Sequence, residues 1–240
     1  MRIFIAGATG VLGVRLVPLL VAGGHRVAGM TRSPSKAGLL RGLGAEPVVC
    51  DVFDLDALTQ ALAAFGPEVV FHQLTDLPDE AADLARFSDR NDRMRGEGTR
   101  NLLAAAATAQ ADRVIAQSIA WELPSEHRRA VTATHERAVL QAGGVVIRYG
   151  QLYGPGTFYP AVPPQPPRIH VDDAARQTLP ALGVPPGVTI VADDRAAQPG
   201  SPRWTPAHQN AGRHHNFDQC ESTIRSQNRK PGKRARQNPT

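Results

Sequence analysis

A short apolar strand, Arg2 to Ala6, runs straight into glycines at every third position, Gly7, Gly10 and Gly13, and these open an apolar helix that continues to Leu20. Few folds require that order. Gly7 permits a tight turn off the strand, Gly10 leaves the backbone bare to an approaching ligand, and Gly13 lets the helix pack closely on a sheet. The ligand that such a turn suits is a dinucleotide, whose pyrophosphate would lie on free N–H groups at the positive end of the helix. Glycines at this spacing also occur in plain loops, so the context carries the reading. The helix repeats apolar residues at Val11, Leu12, Leu16, Leu19 and Leu20.

Strand and helix patterns then alternate along the chain. Strands are expected at His25 to Met30, Glu46 to Cys50, Glu68 to His72, Arg113 to Gln117, Val145 to Tyr149 and Val188 to Ala192. Together with the first, these predict an α/β fold, a Rossmann-type doubly wound parallel sheet of about seven strands. Helices are expected from Leu55 to Phe65, capped by Asp54, and from Gly98 to Ala109, where alanine signals close packing on the sheet.

Charge divides the chain. Residues 1–195 carry 19 Lys+Arg against 20 Asp+Glu, and residues 196–240 carry 8 against 2. The first stretch is expected to be the NAD(P)-binding domain and the second a disordered basic tail rich in Pro, Gln, Asn and Arg. A near-neutral body argues against a nucleic-acid surface, and the cluster from Lys233 to Arg236 reads as a solvated basic end. An abrupt compositional change near Ala196 also fits a degraded or frame-shifted end of the coding region. His208, His214, His215 and Cys220 match no metal-ligand spacing, so no metal is expected. There is no bilayer-length apolar run and no signal-like start, and the two cysteines form no framework. The expected location is therefore the cytoplasm.

Four stretches together resemble the NAD-dependent epimerase/dehydratase family of extended short-chain dehydrogenases/reductases. They run from Gly7 to Gly13, Gly98 to Leu103, Arg148 to Gly156 and Ile169 to Ala174. The resemblance implies a cofactor cradle of Gly7, Thr9, Gly10, Val11, Leu12 and Gly13. It places Asp51, with Val52 beside it, against the adenine, although Asp51 serves equally as a cap for the next helix. Arg148 completes the cofactor set. The loop from Gly150 to Gly156 either faces the ligand or simply makes a sharp turn. After the second strand stands Arg32, with Lys36 close behind and no acid nearby. This favours the extra phosphate of NADP over NAD, which remains possible, against the alternative of a surface arginine.

The family's chemistry needs a Tyr followed four residues later by Lys, and this chain has no such pair. Tyr149, Tyr153 and Tyr159 are followed at the fourth position by Tyr153, Thr157 and Pro163, and the lysines are Lys36, Lys230 and Lys233. Aligned by Glu136, Arg128 stands in the tyrosine position and Thr132 in the lysine position. Arginine stays protonated and cannot act as a base. Ser118 keeps the family's catalytic Ser/Thr position, and Tyr153 is the substitute acid expected near it. His127 and His135 titrate in a useful range, although His135 reads as a surface histidine of a helix.

A proline-rich connection from Phe158 to Pro167 leaves little room for a substrate lobe, which is expected to be reduced. The implied activity is that of an oxidoreductase or epimerase on a small hydroxyl, carbonyl or sugar-like substrate. The alternative is a non-catalytic NADP sensor similar to NmrA-like regulators. The family's pairing helices, here residues 79–109 and 128–142, imply a possible homodimer.

Overall fold

A computed structural model describes residues 1–78 and 80–193. The expected tail, its basic cluster, its histidines, Cys220 and the domain boundary near 195 lie outside the described residues. Within the described residues nine strands and seven α-helices follow one another: β1 (Arg2–Ala6), α1 (Gly13–Ala22), β2 (Arg26–Thr31), α2 (Ala37–Gly42), β3 (Glu46–Val49), α3 (Leu55–Phe65), β4 (Val69–His72), α4 (Ser88–Arg93), α5 (Thr99–Thr108), β5 (Arg113–Ile119), α6 (Glu126–Gln141), β6 (Val145–Tyr149), β7 (Gln151–Tyr153), β8 (Arg168–His170), α7 (Val171–Thr178) and β9 (Gly187–Val191).

Seven strands form one parallel sheet in the order β3-β2-β1-β4-β5-β6-β9. The order reverses between β1 and β4, so a crevice opens there beyond the strand ends, where such sheets take their ligands. Burial on both faces explains the unbroken apolar run of β1, in which Ile3, Phe4, Ile5 and Ala6 are all buried. On one face Phe4 packs with Leu58 and Leu62 of α3 and Leu102 and Ala105 of α5. Each large apolar side chain buried this way contributes about 1.5–3 kcal/mol. The small side chains of Ala105 and Ala106 let α5 lie close in this cluster, as the alanine pattern implies.

Local signals set the helix ends. Asp54 accepts from the Ala57 N–H at 3.0 Å to start α3, and Gly66 in the left-handed region (φ 61°) stops it. The helix expected from Gly98 begins ten residues earlier. From Ser88 it runs through a π turn at Met94–Gly98 into α5. Its polar first half lacks apolar periodicity and rests on other contacts. Arg93 pairs with Glu97 at 2.7 Å and lies 3.9 Å from the centre of the Phe53 ring. β7 and β8 form a separate two-stranded parallel pair, too short at three residues each to show a period. Residues 154–167 between them form neither helix nor strand. Among the described residues no helix is long and apolar enough to cross a membrane.

Candidate cofactor and substrate site

The three glycines do different work. Gly7 adopts φ +92°, and a Cβ there would lie 2.5 Å from the Gln73 carbonyl oxygen, so the turn leaving β1 abuts the chain leaving β4. A Cβ on Gly13 would overlap the Gly7 carbonyl, which makes α1 pack on its own turn. Gly10 is nearly clear, its added Cβ meeting just the Gly7 oxygen at 3.3 Å. The bare backbone at Gly10, where the turn enters α1, makes a cradle suited to a pyrophosphate. Leu12 is buried beneath it. Thr9 ties the turn to the end of β2 by donating to the Thr31 hydroxyl at 3.3 Å.

Arg15 fastens this turn to distant segments. Its guanidinium donates to the Val11 carbonyl (2.8 Å), the Pro155 carbonyl (2.8 Å) and Asp172 at the start of α7 (2.5 Å). The loop of Gly154 (φ +107°) and Gly156 (φ +81°) therefore makes a sharp turn and also sits against the glycine cradle. The His170 ring occupies the space a Gly154 side chain would need.

Arg32 is half exposed, and its Nη2 lies 3.6 Å from Asp76 Oδ1. Asp76 is buried and held also by Arg90, whose Nη2 donates to the same Oδ1 at 2.9 Å and whose Nε donates to Oδ2 at 3.1 Å. The three side chains line a cavity of about 410 Å³ together with the carboxylates of Glu80 and Asp83 and the apolar Leu77, Pro78 and Phe87. Sequence reasoning missed Asp76 and Arg90 because nothing in their local pattern sets them apart. Asp51 is exposed and takes part in a turn, its carboxylate accepting from the Phe53 N–H at 3.0 Å. Asp54 provides the helix cap. Val52 is buried, and its carbonyl accepts from Asn101 at 3.0 Å.

Strand register places Ser118 of β5 beside Arg148 of β6. Both reach Glu136 on α6: Ser118 donates to Oε1 at 2.5 Å, and Arg148 donates to Oε1 at 2.9 Å and Oε2 at 2.5 Å. Burial pushes the Glu136 carboxyl up, but hydrogen bonds from Arg148 and Ser118 outweigh it and hold the group below its ordinary value. The Tyr153 hydroxyl donates to Asp193 at 2.9 Å, a bond to a carboxylate that raises its pKa. The structure therefore gives Ser118 and Tyr153 different partners. Tyr149 is buried and donates to Thr178, and Tyr159 donates to Gln151 at 3.3 Å.

The surface expectation for His135 is overturned. It is 2 % exposed, because α6 turns this side toward β5 and the π turn. His135 Nε2–H donates to the Gln117 carbonyl at 3.0 Å, so Nδ1 accepts, and the Thr99 hydroxyl donates to it at 2.8 Å. Thr99 in turn accepts from His72 Nε2 at 3.0 Å, while His72 Nδ1 faces the Leu74 N–H at 3.4 Å. Each bond fixes the tautomer of the next ring, and both rings are neutral. Burial drives His135 down to about 4 and His72 well below its ordinary value, and the nearby Arg95 charge adds to both. His127 is exposed and pairs with Asp92 at 3.2 Å.

Four buried side-chain atoms have no hydrogen-bond partner among the described residues: both amide atoms of Gln73, Nη1 of Arg95 and Oγ1 of Thr132. Gln73 lies where β4 enters the crevice, beside the Tyr149 hydroxyl. An unpartnered buried amide next to a backbone cradle fits a ligand that brings its own polar groups.

A family model described as NAD(P)H-binding matches residues 7–142. The chain belongs to that family. Its cofactor is a nicotinamide dinucleotide. Among curated relatives of this NAD(P)H-binding protein is the 3-diazoavenalumate denitrifying reductase of a Streptomyces species, 39% identical over 183 residues, covering 66% of this chain and 59% of that one. A 4-hydroxy-2-methyl-3-oxo-4-farnesyl-3,4-dihydroquinoline-1-oxide ketoreductase of Stigmatella aurantiaca is 34% identical over 115 residues, 48% of this chain and 32% of that one. The chain thus spans less than two thirds of the length of these relatives. In solved structures the fold is that of UDP-glucose 4-epimerases. The Thermus thermophilus enzyme in complex with NAD superposes with a TM-score of 0.64 at 19% identity, over 80% of this chain and 78% of that one. The Thermotoga maritima enzyme gives 0.64 at 18%, over 80% and 77%.

Proposed function

We propose that this NAD(P)H-binding protein is a reductase that prefers NADPH and delivers hydride to an electrophilic centre needing no proton donor. One observation carries the reading. All three tyrosine hydroxyls of the chain donate to protein acceptors, and no tyrosine is followed four residues later by a lysine. Ser118 donates to Glu136 as well. A ketone reduced here would leave an alkoxide with no acid beside it.

A diazo group in its cationic diazonium form avoids that difficulty, and the name of the Streptomyces relative points to diazo chemistry. Bound NADPH supplies the hydride. The net step forms a C–H bond, breaks the C–N bond and releases dinitrogen, with charge balanced and no proton added. The chain's own groups orient the reactants: the glycine cradle and Gln73 hold the cofactor, and Arg32 meets the 2′-phosphate. Ser118, fixed by Glu136 and Arg148, shapes the wall near the reacting carbon.

The test is anaerobic mixing of the full chain with NADPH and an aryl diazonium salt, following cofactor absorbance and nitrogen release. Enzyme-dependent oxidation with one dinitrogen per NADPH supports the reading. Turnover of simple ketones at comparable rates would overturn it. The same engagement of every hydroxyl supports a second reading, an NADP sensor without turnover, and tight NADPH binding with no oxidation of either acceptor would favour it.

A further inference from the structure

Arg95 lies in the π turn Met94–Gly98 and Thr132 on α6, two elements packed together over the sheet. Arg95 Nη1 and Thr132 Oγ1 are both buried without partners among the described residues. The neighbouring acceptors are already engaged. Glu136 takes bonds from Ser118 and Arg148, and Asp92 pairs with His127. His135 and His72 each use both ring nitrogens in the ordered chain through Thr99. A buried guanidinium N–H left open this way costs free energy unless something outside the protein accepts from it.

Position on the helix adds a third group. Arg128, Thr132 and Glu136 are four residues apart, so they share one face of α6, with His135 beside them. Arg128 is half-buried one turn outward from Thr132, and its guanidinium makes no hydrogen bond or ion pair among the described residues. Arg95, Arg128 and Arg148 bring three permanent positive charges, and Glu136 and Asp92 bring two negative ones that are bonded elsewhere. The local excess is positive, and both buried histidines feel the Arg95 charge.

We propose that Arg95, Thr132 and Arg128 form a subsite for a carboxylate carried by the substrate. Resting on the reductase reading, this names a substrate class for that reaction. A planar anion with two oxygens accepts from a guanidinium and a hydroxyl together, and the outer arginine draws it in.

Calorimetry on the full chain separates the possibilities. NADPH is titrated first, and its failure to bind would overturn the reductase reading by itself. Cinnamate and its neutral isostere cinnamamide are then titrated into the chain with and without NADPH. Cinnamate is expected to bind roughly tenfold or more tightly than the amide, as one charge-assisted bond implies. Arg95→Gln and Arg128→Gln should each erase most of that preference, and Thr132→Val should reduce it about threefold while adding no volume. If Arg95→Gln does not fold by circular dichroism, the other two variants decide.

Equal binding of cinnamate and cinnamamide overturns the subsite, as does binding that survives Arg128→Gln and Thr132→Val unchanged. Inorganic phosphate competing as well as cinnamate would mean a nonselective anion pocket. NADPH affinity falling in parallel with cinnamate affinity in folded Arg95→Gln would assign the charge to the cofactor's phosphates. Either result rejects the proposal.

Discussion

The Ser118 hydroxyl sits 2.5 Å from Glu136 Oε1, and that same oxygen accepts from Arg148 Nε at 2.9 Å. A serine in this arrangement is a donor already in use. It ties the end of β5 to α6, and its direct role in proton transfer is correspondingly small.

Ser118→Ala should therefore cost stability more than rate. Loss of one hydrogen bond to a charged group predicts about 1.5–3 kcal/mol in urea denaturation, with hydride transfer slowed by less than about threefold. Glu136→Gln should destabilise further and lose pH dependence. Because the folded carboxyl lies below its unfolded value, its contribution is complete above the unfolded pKa and disappears as pH falls through the folded one. A rate loss of about a hundredfold in Ser118→Ala with unchanged stability would contradict this assignment.

The histidine chain predicts acid sensitivity in a defined window. His135 titrates at about 4 when folded and near 6.5 when unfolded, so the unfolded chain binds the extra proton between those values. Stability should be complete above pH 6.5 and fall on acidification toward pH 4, by about 1.4 kcal/mol per pH unit for each histidine. His72 adds in the same direction. Thr99→Val, which removes the central hydroxyl, should cost about 2 kcal/mol or more at neutral pH. Denaturation series at several pH values measure both effects, and a flat profile between about pH 4 and 6.5 would refute the neutral-ring assignment.

The glycines should separate folding from binding. Gly7→Ala places a Cβ 2.5 Å from the Gln73 carbonyl at φ +92°, so it should destabilise the chain by about 2 kcal/mol or more. Gly10→Ala meets little protein and should fold normally, losing NADPH affinity by roughly tenfold or more. Thermal melts and calorimetry on both variants decide the matter. Normal cofactor binding by Gly10→Ala would remove the cradle from the site.

Asp76 competes for Arg32 at 3.6 Å. Arg32→Ala should weaken NADPH by about tenfold and leave NADH nearly unchanged, as a lost phosphate contact implies. Asp76→Asn frees the arginine and removes a negative charge, so NADPH should bind a few fold more tightly relative to NADH. Equal changes for both cofactors in Arg32→Ala would place the 2′-phosphate elsewhere.

The legible parts of this chain were those with periodic or steric signatures. Seven strands, the glycine turn and the Asp54 cap stand in the sequence because burial on both faces and a tight turn restrict residue type locally. The hidden parts depend on contacts across the fold. His135 looks like any surface helix residue until α6 is turned toward Gln117. Arg90 meets Asp76 across fourteen positions with no pattern to announce it. The π turn hides in a polar run, and nothing in that run marks Arg95 as the residue whose Nη1 is buried.

Arg15 bonds to Val11, Pro155 and Asp172 at once, and two of those three lie beyond residues 7–142, the stretch shared with the family. The glycine turn and the segments around Pro155 and Asp172 are thus a single mechanical part. Grafting the shared stretch onto another C-terminal half would cut both of the tethers that leave it from this one side chain, so the two parts of this protein are not independent modules.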